Sequence, residues 1–177
     1  LDLYVADSSR FNLQFTTGKI INTNDLFFNV DERNNSLSFK LNLDENKYVE
    51  YLYSINKDYL IDFEINLIGL DELIPKGVNY LNIEWQMLTP KTEKSKENQD
   101  IYTGIQYQYN SDKEVDYLSF SSNDEDEINA KLNWMAFKQQ FFSTIFISKD
   151  GFEKPTYVVS TKSEYSKYIK NLYAKFE

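Results

Sequence analysis

Residues 132–148 read L-N-W-M-A-F-K-Q-Q-F-F-S-T-I-F-I-S, and no other stretch restricts the fold as much. Taken as one strand, alternate residues point to opposite faces. One face carries Trp134, Ala136, Lys138, Gln140, Phe142, Thr144 and Phe146; the other carries Met135, Phe137, Gln139, Phe141, Ser143, Ile145 and Ile147. Both faces are mostly apolar, as in a strand buried between two layers. Periodicity alone leaves a helix open, but the β-branched run at its end and the aromatic density favour a strand. The anomaly is Lys138-Gln139-Gln140, since a buried polar group without a partner costs roughly 2–7 kcal/mol. Those three residues are expected to form structural hydrogen bonds between two sheets, or to line a groove.

The remaining pattern is also that of strands. Phe11, Leu13 and Phe15 alternate with polar residues, and Leu37, Phe39, Leu41 and Leu43 alternate with Ser36, Ser38, Lys40 and Asn42. Tyr59 to Leu67 and Leu81 to Met87 follow the same period. Segments 36–43, 47–55, 59–67 and 80–87 are therefore expected to form a meander with one apolar face, which a second layer must cover. Lys57 to Tyr59 and Gly69 to Gly77 read as links, Lys91 to Asp100 as a polar loop with room for a helical turn, and Ser121 to Glu127 as an acidic loop. Tyr102 to Tyr109, Glu114 to Phe120 and Tyr157 to Thr161 read as further strands, with a turn at Asp150-Gly151. From Ser163 the spacing changes: Tyr165, Tyr168, Ile169, Leu172, Tyr173 and Phe176 recur at three and four residues, which predicts an amphipathic helix over 164–176. One domain over 1–177 is expected, with no internal repeat.

Composition narrows the chemistry. The chain has 14 Tyr and 13 Phe but neither Cys nor His, so thiolate nucleophiles, Ser-His triads and imidazole or thiolate metal ligands are ruled out. The net charge of −9 opposes binding to nucleic acid and to anionic lipid. No apolar run reaches the ~18–20 residues of a membrane span, and Leu1-Asp2-Leu3-Tyr4 lacks the basic-then-apolar build of a signal peptide, so the sequence reads as a piece of a longer protein. Carboxylates such as Asp62, Glu64 and Glu84 are the available acid–base groups, and alternating charge on a wet sheet face accounts for them. Asp124 to Glu127 lacks the glycine and terminal glutamate of a calcium loop. Tyr107, Tyr109, Tyr117, Trp85 and Trp134 could line a groove for sugar or peptide, although core packing is the commoner role for such rings. The candidates for structural or groove roles are Trp134, Lys138, Gln139, Gln140, Phe141 and Tyr107.

A Trp, an Ala two residues on, and a Gln-Gln pair followed by two aromatics (Trp134 to Phe142) resembles the hallmark segment of the large periplasmic domain of YidC-type bacterial membrane protein insertases. Lys57-Asp58-Tyr59, Leu81-Asn82-Ile83, Tyr102-Thr103-Gly104 and the run Lys113 to Phe120 follow in that family's order, so the likeness spans about residues 36–150. The resemblance implies an all-β fold, a β-supersandwich of two antiparallel sheets similar to galactose mutarotase, here with a short C-terminal helix. It also implies a non-catalytic domain without a cofactor, on the periplasmic face of the bacterial inner membrane. The implied partners are Sec translocon subunits and nascent membrane proteins, with membrane contact only through flanking segments. Relative to the family pattern, the chain is expected to lack the first and the closing strands. The related mutarotases suggest an alternative, a carbohydrate-binding sandwich module, without the His that their chemistry typically needs.

Overall fold

The computed structural model describes residues 8–16, 20–56, 60–72, 81–153 and 155–177. Its strands are β1 (Ser9–Thr16), β2 (Ile20–Asn22), β3 (Asn29–Arg33), β4 (Ser36–Asp44), β5 (Lys47–Ile55), β6 (Ile61–Ile68), β7 (Asn82–Pro90), β8 (Gly104–Tyr109), β9 (Val115–Tyr117), β10 (Asp124–Ile128), β11 (Leu132–Lys138), β12 (Ser143–Phe152), β13 (Thr156–Lys162) and β14 (Tyr168–Phe176). A short helix, α1 (Lys96–Asp100), follows β7. Ser95 caps it, its side chain accepting from the Asn98 backbone N–H. The chain divides into two compact units: Leu1–Leu13 with Tyr80–Glu177, and Gln14–Asn79.

The first unit is a sandwich of antiparallel sheets. One sheet has the order β10-β13-β14-β7-β1, the other β12-β11-β8-β9. Their facing surfaces hold Trp85 and Met87 of β7, Leu172, Ala174 and Phe176 of β14, Ile105 and Tyr107 of β8, and Met135 and Phe137 of β11, all buried. The sheets meet ring on ring. Trp85 and Phe137 stack with centroids 3.7 Å apart and planes 12° from parallel, and Phe176 touches both Phe146 and Phe152. Such contacts add roughly 0.5–1.5 kcal/mol beyond the area they bury.

At one end of this core lies Lys170, on β14, its side chain 1% exposed. Its Nζ donates to the carbonyls of Thr103 at 2.7 Å and Phe120 at 2.6 Å, and sits 3.5 Å from Asp100 Oδ1. The central strand is thereby tied to the end of α1 and to both flanks of the opposite sheet's β8–β9 pair.

The second unit contains the meander β3-β4-β5-β6. One face stacks aromatic rings, with Tyr53 on Phe63 at 4.7 Å and Phe28 on Tyr51 at 5.1 Å. Burial pushes the Tyr51 hydroxyl up to about 12. The other face is a polar ladder in which Glu50 accepts from Ser38 and Asn66 and pairs with Lys40. The hydrogen bond from Ser38, followed by those from Asn66 and Lys40, holds the Glu50 carboxyl below its ordinary range against partial burial.

Several expectations are corrected. Residues 132–148 form a hairpin, not one strand: β11 turns back at 139–142, with the Gln139 N–H on the Phe142 carbonyl at 2.7 Å. The polar insert marks the turn, and its two apolar halves pair with each other. Segment 164–176 is not a helix, because β14 is a central strand hydrogen-bonded by β13 on one side and β7 on the other. A strand covered on one face and half-covered on the other is apolar at both parities. Two interleaved strand faces then imitate spacings of three and four. Segment 80–87 leaves the meander: as β7 it pairs with β14, and β3 supplies the meander's fourth strand. The acidic loop is partly strand, β10, whose carboxylates find donors in the Ser119 N–H and the Tyr157 and Tyr107 hydroxyls. Charge on a sheet edge discourages further pairing. Asp150-Gly151 lies inside β12 rather than in a turn. The helical turn within Lys91 to Asp100 is α1. The links at 57–59 and 73–77 fall outside the described residues.

Replacing Phe137 with Ala removes one half of the stack between the sheets, and urea unfolding should show a loss of about 3–5 kcal/mol. Burial lowers the Lys170 pKa, with Asp100 opposing the shift. The unfolded chain therefore holds a proton that the native state gives up, and stability rises as pH climbs from that lowered value to about 10.4. Compared across this window by denaturant titration, wild type should gain stability relative to Lys170→Met. Parallel curves would show that the ammonium carries no burial cost.

Candidate contact surface

The outer face of the β12-β11-β8-β9 sheet can be read directly from its register, because paired residues share a face. One row runs Ile147, Trp134, Gln108, Val115 and the next Ile145, Ala136, Gln106, Tyr117. A third row begins Ser143, Lys138, Gly104. Of these side chains only Lys138 is charged. Ile145, Ile147, Val115 and Tyr117 are each about half exposed (47–59%). The Gln106 carboxamide and the Trp134 indole N–H make no hydrogen bond to the described residues. The Gln108 amide, by contrast, donates to the Lys113 carbonyl and accepts from Asn133.

The third row ends in a wall. Gly104 has no side chain because the Phe120 ring lies over it; a Cβ there would overlap that ring. Phe120 stacks on Tyr117 at 5.1 Å. Lys138 Nζ sits 5.7 Å above the Phe120 ring and 5.5 Å from that of Tyr102, and donates to the Tyr102 carbonyl at 3.1 Å. Attraction between the ammonium and the aromatic faces holds the wall together.

A bulge turns Leu132 into the core beside the outward-facing Trp134. Leu132 and Trp134 are two residues apart, yet Leu132 is fully buried while Trp134 lies on the outer face. The register shifts between them on both neighbouring strands. Asn133 fixes the irregularity by donating to Gln108 Oε1 at 3.1 Å and accepting from Asn110 at 2.6 Å. On β12 the matching slack is taken up around Gly151, whose φ of +86° would strain any other residue and whose missing Cβ leaves room for the Leu132 carbonyl.

The six sequence candidates separate. Trp134 and Lys138 belong to the outer face. Phe141, 67% exposed, projects from the hairpin turn. Gln139 is buried in that turn, and Gln140 Oε1 is buried with no hydrogen-bond partner. Tyr107 is 2% exposed in the core, donating to Asp126 Oδ2 at 3.4 Å. Burial above all, then neighbouring Tyr109 and Asp116, raises its pKa. Trp85 is likewise core. The aromatic set is thus divided between inside and outside by strand parity. Gln106, Ile145, Ile147 and Phe120 were missed as surface residues. One continuous strand would put Ile145 and Ile147 on the face of Met135 and Phe137; the hairpin turn at 139–142 moves both to the opposite face, beside Ala136 and Trp134.

Two of the three candidate carboxylates have structural partners. Glu84 accepts from Asn12 and Tyr173, and Asp62 from Asn56. Asp124 to Asp126 alternate along β10 and therefore do not converge. Among the described residues no group of three or more Asp or Glu side chains is placed to hold a metal ion.

These features define an all-β sandwich domain presenting a broad, nearly uncharged sheet face. The sequence comparisons supply the family: the profile of the YidC periplasmic domain matches residues 2–176, and the chain belongs to that family. It is 32% identical over 176 residues (98% of the chain, 28% of the relative) to a protein of Bacteroides fragilis named membrane protein insertase YidC. Identically named relatives are 32% identical over 161 residues in Parabacteroides distasonis (87% of the chain, 25% of the relative) and 25% identical over 186 residues in Amoebophilus asiaticus (98% and 31%). The chain thus spans under a third of the length of these relatives. No solved structure matches it. Among the described residues no helix is long and apolar enough to cross a membrane.

Substituting Gly104 with Ala should expel Phe120 from its seat, lowering stability by about 1–3 kcal/mol. The ring-current shift of Phe120 on the Tyr117 resonances should disappear in NMR spectra.

Proposed function

We propose that residues 1–177 act as one non-catalytic periplasmic domain of a YidC-type insertase. Its work is accessory: it offers a contact surface on the periplasmic face of the inner membrane to Sec translocon subunits or to nascent membrane proteins. Family membership carries this reading, and the nearly uncharged outer face of the β12-β11-β8-β9 sheet supports it. A domain of net charge −9 that keeps carboxylates off one sheet face has a surface suited to protein contact, since charged residues are depleted at the centres of interfaces. The carbohydrate-binding alternative draws on the same face, where Trp134 and Tyr117 flank Gln106.

Photo-crosslinking in cells tests the proposal. Benzoylphenylalanine placed at Ile145, Ile147 or Tyr117 of the full-length insertase should capture translocon subunits or nascent chains. The same probe at Glu127, on the acidic edge strand, should not. Absence of adducts from the face, or equal adducts from both places, would overturn the assignment. A panel of sugar substrates should show no turnover; turnover abolished by Glu84→Gln would end the non-catalytic reading.

A further inference from the structure

We propose that the outer face of the β12-β11-β8-β9 sheet receives an unfolded, extended apolar polypeptide segment that carries basic residues. This deepens the function proposed above and rests on it. Two observations favour an extended backbone over a folded partner. The Trp134 indole and the Gln106 carboxamide are polar groups with no hydrogen-bond partner among the described residues, set among Ile145, Ile147 and Val115. Together they offer donors and an acceptor on an otherwise apolar floor. A helix satisfies its own backbone groups and has no use for them, whereas an extended segment brings peptide N–H and C=O groups that lose water on docking and need replacements. The fixed rows of the sheet suit alternate side chains of such a segment.

Charge gives the second half of the assignment. The chain's carboxylates outnumber its Lys and Arg by 28 to 19, so a cationic segment is attracted and an acidic one repelled. The face is also polarised. The turn joining β8 to β9 borders the first row and exposes Asp112, Lys113 and Glu114, two carboxylates against one ammonium. Lys138 stands in the third row and is held in place by Tyr102. A basic residue of the bound segment belongs at the Asp112–Glu114 end.

Synthetic twelve-residue apolar peptides, flanked by lysines or by glutamates, test this by titration against the 177-residue chain with tryptophan fluorescence as readout. The Lys-flanked peptide should bind at least tenfold more tightly at low salt, and 1 M NaCl should shrink the difference. Ile145→Asp and Tyr117→Asp, at exposed positions that keep the fold, should each weaken binding at least tenfold. Asp112→Asn with Glu114→Gln should reduce the preference for lysine while leaving apolar binding. Alternate N-methylation of the peptide backbone should weaken binding, because the Gln106 carboxamide oxygen then lacks an N–H donor, while the Trp134 indole can still donate to a peptide carbonyl. Equal affinity for both flanks, indifference to Ile145→Asp, quenching by an oligosaccharide instead of peptide, or a dimer that Ile145→Asp dissolves would each overturn the inference. If crosslinks form from the face in cells while these peptides fail, the contact role stands and only this occupant is wrong. If no crosslinks form, both fall.

Discussion

The structure of the larger unit depends on one contact, the stack of Trp85 on Phe137. Each ring belongs to a strand in the middle of its own sheet, so the pair joins two hydrogen-bonded networks at their centres and not at their margins. It also fixes parity. With Phe137 facing inward, Met135 must as well, and Ala136, Lys138 and Trp134 must face out. Because a one-residue slip would move every side chain to the other face, the stack that closes the core also determines the composition of the exposed surface.

Lys170 shows how far this coupling extends. It is a charged residue on the inner face of the central strand, a position that would ordinarily cost several kcal/mol. Its ammonium donates to two carbonyls and lies 3.5 Å from a carboxylate oxygen at the same end of the sandwich. One of those carbonyls belongs to Phe120, whose ring covers Gly104 on the opposite side of the sheet. The buried ammonium therefore positions the backbone of the residue that walls the outer face. A hydrophobic residue in its place would leave the Thr103 and Phe120 carbonyls unpaired in a dry site.

Much of this was legible from residue order alone. Strict alternation at 36–43 identified β4, and the absence of Cys and His narrowed the chemistry before any geometry was known. The Trp134 to Phe142 segment was specific enough to indicate the family. What misled was apolar density at both parities. In 132–148 it concealed a turn, because Phe141 and Phe142 look like strand continuation although Phe141 projects into solvent. In 164–176 it imitated a helix, because Leu172 and Phe176 pack inward while Tyr173 reaches Glu84 on the other side. Neither case can be resolved from one segment: the neighbours that make β14 a strand lie about eighty residues earlier, in β7, and just upstream, in β13.

The irregularity beside Trp134 is the least local feature of all. Simple alternation puts Leu132 and Trp134 on one face, and had the strand been regular, Leu132 would face outward with the indole instead of filling the core. The bulge at Asn133 separates them. It needs partners on β8 to hold it and a glycine on β12 to admit it, so three strands cooperate to turn Leu132 inward. Asn133 donates its amide to Gln108 and accepts from Asn110, while Gln106, one pleat further along, makes no hydrogen bond to the described residues. The bulge therefore packs Leu132 into the core while the outward row of Trp134, Ala136 and Lys138 keeps its phase, so the exposed indole follows from the same parity that buries Met135 and Phe137.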